Sequence, residues 1–210
     1  MKNTYQIRTI IQESELIQFQ TCYQQLIREK SNSQLNIKVS LDYLQQANVK
    51  GCFDKNNHLV GGYVLNSEAE FRILEAITAK ERENLLFMQQ HALDKFGELT
   101  CIWHNKGISA NTFALRVWPR IIWHSIAMKK PYILGIGFQN KMHNVYTLAK
   151  PKIVYQGRSK DQQFNNYVYI YAYTPRTLLL TFASNFLKKM FLSPLKRLFK
   201  IRKGLLNDNK

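Results

Sequence analysis

Two stretches decide the architecture of this 210-residue chain: Gly97-Glu98-Leu99-Thr100-Cys101-Ile102-Trp103, and Pro131-Tyr132-Ile133-Leu134-Gly135-Ile136-Gly137-Phe138. Each is a short apolar run rich in β-branched or aromatic residues, the pattern of a buried strand. Between them, residues 111–128 place Phe113, Ala114, Val117, Trp118, Ile121, Ile122 and Ser125 on one helical side, with Pro119 kinking the helix or marking its true start. Strand, helix, strand in that order favours an α/β or α+β domain.

The same reading extends outward. Residues 5–10 (YQIRTI) are β-prone, and from Ser14 and Glu15 a helix carries Leu16, Phe19, Tyr23, Leu26 and Ile27 on one face. A weaker helical piece lies near 40–47. VKGCF and LVGGYVL then flank the turn residues Asp54 to Asn57 as a hairpin. Residues 79–96 read as one helix through Leu85, Met88, Ala92, Leu93 and Phe96, stopped by Gly97. After PYILGIGF come a short helix in MHNVYTLAK, a strand in PKIVYQG, a polar loop at 158–166, and YVYIYAY. That last run alternates Tyr167, Tyr169, Tyr171 and Tyr173 with Val168, Ile170 and Ala172. The order is β, α, α, β, β, α, β, α, β, α, β, β, an α/β or α+β domain over residues 1–175, followed by a basic tail at 176–210.

Composition narrows the function classes. Thirty Lys and Arg against fourteen Asp and Glu give a net charge of +16, and 45% of residues are hydrophobic, enough for one core. Cys22, Cys52 and Cys101 lie far apart, indicating neither a disulfide framework nor a thiolate zinc site. No His-x-x-x-His spacing, Gly-x-Ser-x-Gly elbow or Walker lysine occurs, so no metal is expected. The N-terminus does not read as a signal peptide, and the expected compartment is the cytoplasm. The longest uncharged apolar stretch, Thr177 to Leu187, is about half of the ~20 residues a membrane-crossing helix needs.

The tail holds nine basic residues and one acid, contributing +8. Leu178, Leu179, Phe182, Phe186, Met190, Phe191, Leu195, Leu198 and Phe199 are interleaved with them, and Ser193-Pro194 restarts a second helix. A basic amphipathic element of this kind lies on an anionic membrane surface, which predicts peripheral attachment to the inner face of the cell membrane. The alternative packs Thr177 to Leu192 back on the sheet and leaves only 196–203 as a solvated basic end.

The element order resembles the GNAT acyltransferase superfamily, whose mixed sheet splays open between its fourth and fifth strands to admit an acyl thioester. GELTCIW would be the fourth strand and PYILGIGF the fifth. The extra helix at 79–96 more closely resembles the branch of acyl-homoserine-lactone synthases and long-chain N-acyl amino acid synthases. Glu98 occupies the place of the glutamate that opens their Glu-x-Ser-Arg strand, Thr100 that of the serine, and Cys101 stands where they have arginine.

The resemblance implies transfer of an acyl group, fatty or short, from acyl-CoA or acyl carrier protein to an amine, with no permanently bound cofactor. Its phosphate turn corresponds to Asn105-Lys106-Gly107-Ile108-Ser109-Ala110, where small residues let backbone N–H groups face a pyrophosphate beside a helix N-terminus and Lys106 adds a counter-charge. Glu98 is the expected base, directly or through water, with His104 as the alternative base. Tyr146 is the expected acid for the leaving thiolate, since a phenol's pKa, ~10, lies near that of an alkyl thiol. Asn144 would contact the cofactor arm. Against these stand plainer roles: a solvated strand-end carboxylate for Glu98, a polar strand terminus for His104, a packing tyrosine for Tyr146.

The positive field would also attract an acidic acyl carrier protein. Two other function classes share these features. A nucleic-acid binder would use the tyrosine stripe as a stacking platform, although that strand interleaves no Lys or Arg. A non-catalytic membrane scaffold would keep the fold without the chemistry.

Overall fold

In the computed structural model, residues 5–30, 38–138, 147, 150–160 and 167–187 are described. Strand β1 (Gln6–Thr9) feeds α1 (Glu13–Lys30), and α2 (Leu41–Gln46) starts at Ser40, whose hydroxyl accepts the N–H of Tyr43. Strands β2 (Asn48–Phe53) and β3 (Leu59–Asn66) form the expected hairpin. In its turn, Asp54 Oδ1 accepts the N–H groups of Asn56 and His58, and Asn57 takes a left-handed φ of 62°.

β4 (Phe96–His104), α5 (Ala110–Arg116), α6 (Trp118–Ala127) and β5 (Tyr132–Phe138) follow, then β6 (Lys152–Arg158), β7 (Tyr167–Tyr173) and α7 (Pro175–Leu187). The helix read over 111–128 is thus two, and Pro119 sits in the first turn of α6, where its missing N–H costs nothing. The sheet runs β1-β2-β3-β4-β5-β7-β6 and is antiparallel except for β4 against β5.

The segment read as one helix over 79–96 is instead broken. It comprises α3 (Ala79–Glu83), α4 (Leu86–Gln89) and a 3-10 turn at Leu93–Lys95, preceded by another 3-10 turn at Arg72–Ala76. Its apolar positions do not share one buried face: Leu85 and Met88 are buried, Leu86 and Leu93 face water. Phe96 belongs to β4, where it stacks on Tyr132 at 5.4 Å and meets Phe87 edge-on at 6.0 Å. Those aromatic contacts outweigh a helical propensity worth only tenths of a kcal/mol per residue. Gly97, expected as a stop, pairs with Ile133 inside the sheet.

One face of the sheet is covered by α1, α2 and the 71–95 segment, the other by α5, α6 and α7. β7 lies between β5 and β6 and is covered on both faces, so Tyr169, Tyr171 and Tyr173 are buried and only Tyr167 is exposed. The tyrosine stripe packs with Val117, Ile121, Ile122 and Leu178 in the core, which leaves it no free face on which bases would stack. α7 likewise joins the domain through Leu178, Thr181 and Phe182. The limit expected at residue 176 therefore falls inside an element that the core holds.

Candidate active site

Parallel pairing of β4 with β5 stops after three rungs: Phe96 with Tyr132, Gly97 with Ile133, Glu98 with Leu134. Beyond Glu98 the strands part. β4 stays with β3 as far as His104, and β5 stays with β7 as far as Phe138. The result is a wedge-shaped opening between Leu99–His104 and Gly135–Phe138.

A bulge lies on the β4 wall of this opening. Gly62 pairs with Trp103 and Val64 with Thr100, so Cys101 and Ile102 together oppose Tyr63. Cys101 has a φ of 50°, a left-handed conformation costly for a residue with a Cβ, and a bulge leaves one residue out of the ladder. The extra residue also resets the alternation. Glu98, Cys101 and Trp103 all face α1 and α2, while Leu99 and Ile102 face α5 and α6.

Glu98 is fully buried, at the last paired rung and not at an open strand mouth. Its Oε1 accepts the Tyr43 hydroxyl at 2.5 Å and the Arg72 N–H at 3.1 Å, and its Oε2 accepts the Ile73 N–H at 2.7 Å. The carboxylate thus caps the 3-10 turn at Arg72–Ala76 and ties α2 to the sheet. Burial pushes its pKa above the ordinary value, opposed by these three bonds and the nearby Arg72 guanidinium. Glu98 is therefore easier to protonate than a surface glutamate. Burial, followed by the Glu98 charge, drives the Tyr43 phenol well upward, so it stays a donor.

Arg72 sends Nη1 toward Cys101 Sγ at 3.8 Å and Nη2 to the Lys38 carbonyl at 3.2 Å. Its Nε and the indole N–H of Trp103 are buried donors with no partner among the described residues. Burial raises the Cys101 thiol, which keeps it protonated and poorly nucleophilic. Tyr43 and Arg72 escaped sequence reading. They lie 55 and 26 residues before Glu98, in a short helix and a 3-10 turn, and no spacing rule joins them.

His104, half-buried at the end of β4, has Nδ1 3.2 Å from the Asn105 carbonyl and its ring 4.9 Å from Phe113. Lys106 is exposed, and the Gly107 N–H donates to Asn105 Oδ1 at 2.7 Å. Ile108 is buried, and Ser109 caps α5 by accepting the Thr112 N–H at 3.1 Å. The turn therefore runs straight into a helix N-terminus, whose first N–H groups have no partner within the helix. Gly107 has a packing reason as well: a Cβ there would meet Val60 Cγ1 at 2.5 Å. Asn144 and Tyr146 lie outside the described residues. Glu98 and the 106–110 turn belong to opposite ends of the opened strand, and His104 adjoins the turn. Among the described residues, no three His, Cys, Asp or Glu side chains converge as metal ligands.

No family model matches the chain, and no curated protein matches it. Solved structures do. FeeM, an N-acyl amino acid synthase from uncultured soil microbes, aligns with a TM-score of 0.61 at 14% identity, covering 84% of this chain and 94% of its own. A GNAT-family acetyltransferase from Listeria monocytogenes aligns at 0.53 and 10% identity, covering 81% and 94%. The protein yncA from Salmonella typhimurium, solved with its cofactor acetyl-CoA, aligns at 0.53 and 8% identity, covering 82% and 95%. With its parallel pair opening after three rungs, three antiparallel ladders on the β4 side and two on the β5 side, the chain has the fold of the GNAT acyltransferases.

Proposed function

We propose that the chain is an N-acyltransferase that works in the opening between β4 and β5. The observation that carries this reading is the loss of pairing beyond Glu98 and Leu134, which leaves a slot for an extended pantetheine arm. The donor is an acyl thioester, of coenzyme A or acyl carrier protein, and the acceptor is an amine. The likeness to FeeM and to the acetyl-CoA-bound yncA supports both halves of the reading. In it, the turn Lys106-Gly107-Ile108-Ser109-Ala110 holds the donor's phosphates at the start of α5 through the N–H groups not already donated to Asn105, and Asn144 contacts the arm.

Glu98 acts through Tyr43. As the amine nitrogen attacks the thioester carbonyl, its proton passes to the Tyr43 oxygen while the phenol proton moves to Oε1. The C–N bond forms and the C–S bond breaks. The thiolate takes a proton from Tyr146, leaving an amide and a free thiol. His104 is the alternative base. The catalytic demand is thus a carboxylate that holds a proton more readily than usual, which burial supplies.

The tail beyond α7 attaches the protein to the inner, anionic face of the membrane. Its support is the eight basic residues and one acid of 188–210, with Leu179 and Leu180 half-exposed on the helix that leads into them. Among the described residues, no helix is long and apolar enough to cross a membrane.

Thermal unfolding with a panel of acyl-CoA and acyl carrier protein species tests the proposal. A bound donor at 100 times its Kd stabilises the fold by about 2.7 kcal/mol. Stabilisation by one donor, together with thiol release once an amine is added, supports the reading. No response to any thioester overturns it.

A further inference from the structure

On the other face of the sheet from Glu98, α6 and strands β2 and β3 enclose a groove of about 440 Å³. Asn48, Lys50, Ser67, His124 and Met128 are among its walls, and none of the described residues lining it is acidic. Lys50 stands directly across the ladder from Tyr63, whose hydroxyl lies 2.6 Å from His124 Nδ1. When this phenol donates to Nδ1, the neutral imidazole keeps its proton on Nε2 and offers a second donor. Lys50 Nζ gives one N–H to Thr9 Oγ1 at 2.6 Å and retains two.

Arg120, exposed one turn before His124 on α6, adds a second positive charge to that of Lys50. Burial lowers the His124 pKa, and the charges of Lys50 and Arg120 lower it further. Burial also lowers Lys50. Lys50 is thus half-buried beside a neutral imidazole with no acidic residue among the described lining residues, an arrangement that an anion relieves.

We propose that this groove binds a small phosphate-bearing molecule, its head group between Lys50 and His124, with the Asn48 amide and Ser67 hydroxyl as further donors. A lysine is a point-charge donor suited to phosphate, and Lys50, His124, Asn48 and Ser67 offer separate N–H and O–H donors for its several oxygens. The volume falls in the range of small-ligand sites and exceeds the needs of a bare phosphate. The organic body of the ligand lies along Leu65 and Met128.

The test follows histidine ring resonances of the full chain while inorganic phosphate or glycerol phosphate is added, with sodium chloride at matched ionic strength as reference. Phosphate is expected to raise the apparent pKa of His124 saturably, by about 1 unit, as an opposite charge within ~4–6 Å does. His58 and His91 stay where chloride leaves them; His104 adjoins the turn at 106–110 and is not used as a reference. Lys50→Met weakens the phosphate response at least tenfold, and Ser67→Ala, a milder change, weakens it less. An unmoved His124 overturns the proposal, as does an equal response to chloride or a shift that His58 and His91 share. Acetate acting as strongly as phosphate overturns the assignment of the ligand class. The measurement does not involve acyl transfer and stands apart from it.

Discussion

At the scale of single residues, Glu98 has two duties that separate experimentally. Its carboxylate accepts three hydrogen bonds, two of them from backbone N–H groups. Glu98→Gln turns an NH2 toward one of those donors and is expected to cost about 1–3 kcal/mol in denaturant unfolding. The pH dependence has a definite sign. Because burial raises the folded pKa, the unfolded chain releases this proton first, and the folded state binds more protons above the ordinary value of 4.5. The wild type therefore loses stability, relative to Glu98→Gln, as pH rises through that window. A gap between the two that stays constant with pH would mean that Glu98 titrates normally. The same substitution is expected to lower kcat about 100-fold or more if the carboxylate takes the amine proton. Gly107 is the second case. Gly107→Ala drives a Cβ into Val60 and should cost about 1–3 kcal/mol, part of which Val60→Ala restores.

At the scale of elements, the sequence was legible where a period and a punctuation mark agreed. The β2–β3 hairpin, α1, α6 and β7 have both an apolar rhythm and a turn, cap or proline at the boundary. The 79–96 segment shows the opposite case, because Leu85, Met88, Leu93 and Phe96 imitate a helical face whose members serve three different elements. Its starting cap is strong: Thr78 and Glu81 form a reciprocal box, and Glu81 Oε1 also accepts the Tyr155 hydroxyl from β6 at 2.6 Å. Thr78→Ala should cost about 1 kcal/mol by thermal unfolding. The link between β1 and α1 is ionic. Arg8 donates two bonds to Glu15, and the Arg8 hydrogen bond holds the Glu15 pKa below its ordinary value. That contribution, about 0.5–1 kcal/mol, is present above pH 4.5 and is lost as pH falls through the lowered value. Glu15→Gln should remove this part of the acid sensitivity. The candidate site was legible only along β4, which carries Glu98 and leads into the 106–110 turn. Tyr43 and Arg72 reach it through tertiary packing that no local pattern encodes.

At the scale of the whole molecule, the net charge of +16 is the dominant long-range property. The packing of Leu178, Thr181 and Phe182 dictates where a truncation falls. Removal of residues 188–210 keeps α7, whereas a cut at 176 takes α7 with it. The shorter truncation is expected to abolish pelleting with vesicles rich in anionic lipid and to leave the melting temperature almost unchanged, because each basic residue near such a surface contributes about 1 kcal/mol. Undiminished pelleting would place any membrane contact elsewhere.

The strand order also bears on how the chain is made. Each of the first four strands pairs antiparallel with its immediate neighbour in the sequence, so β1 to β4 need no strand from the later half to complete their ladders. The later half assembles around β7, which bonds β5 on one side and β6 on the other. A short parallel seam then joins the two halves, so synthesis is expected to proceed as two successive local assemblies followed by one docking event.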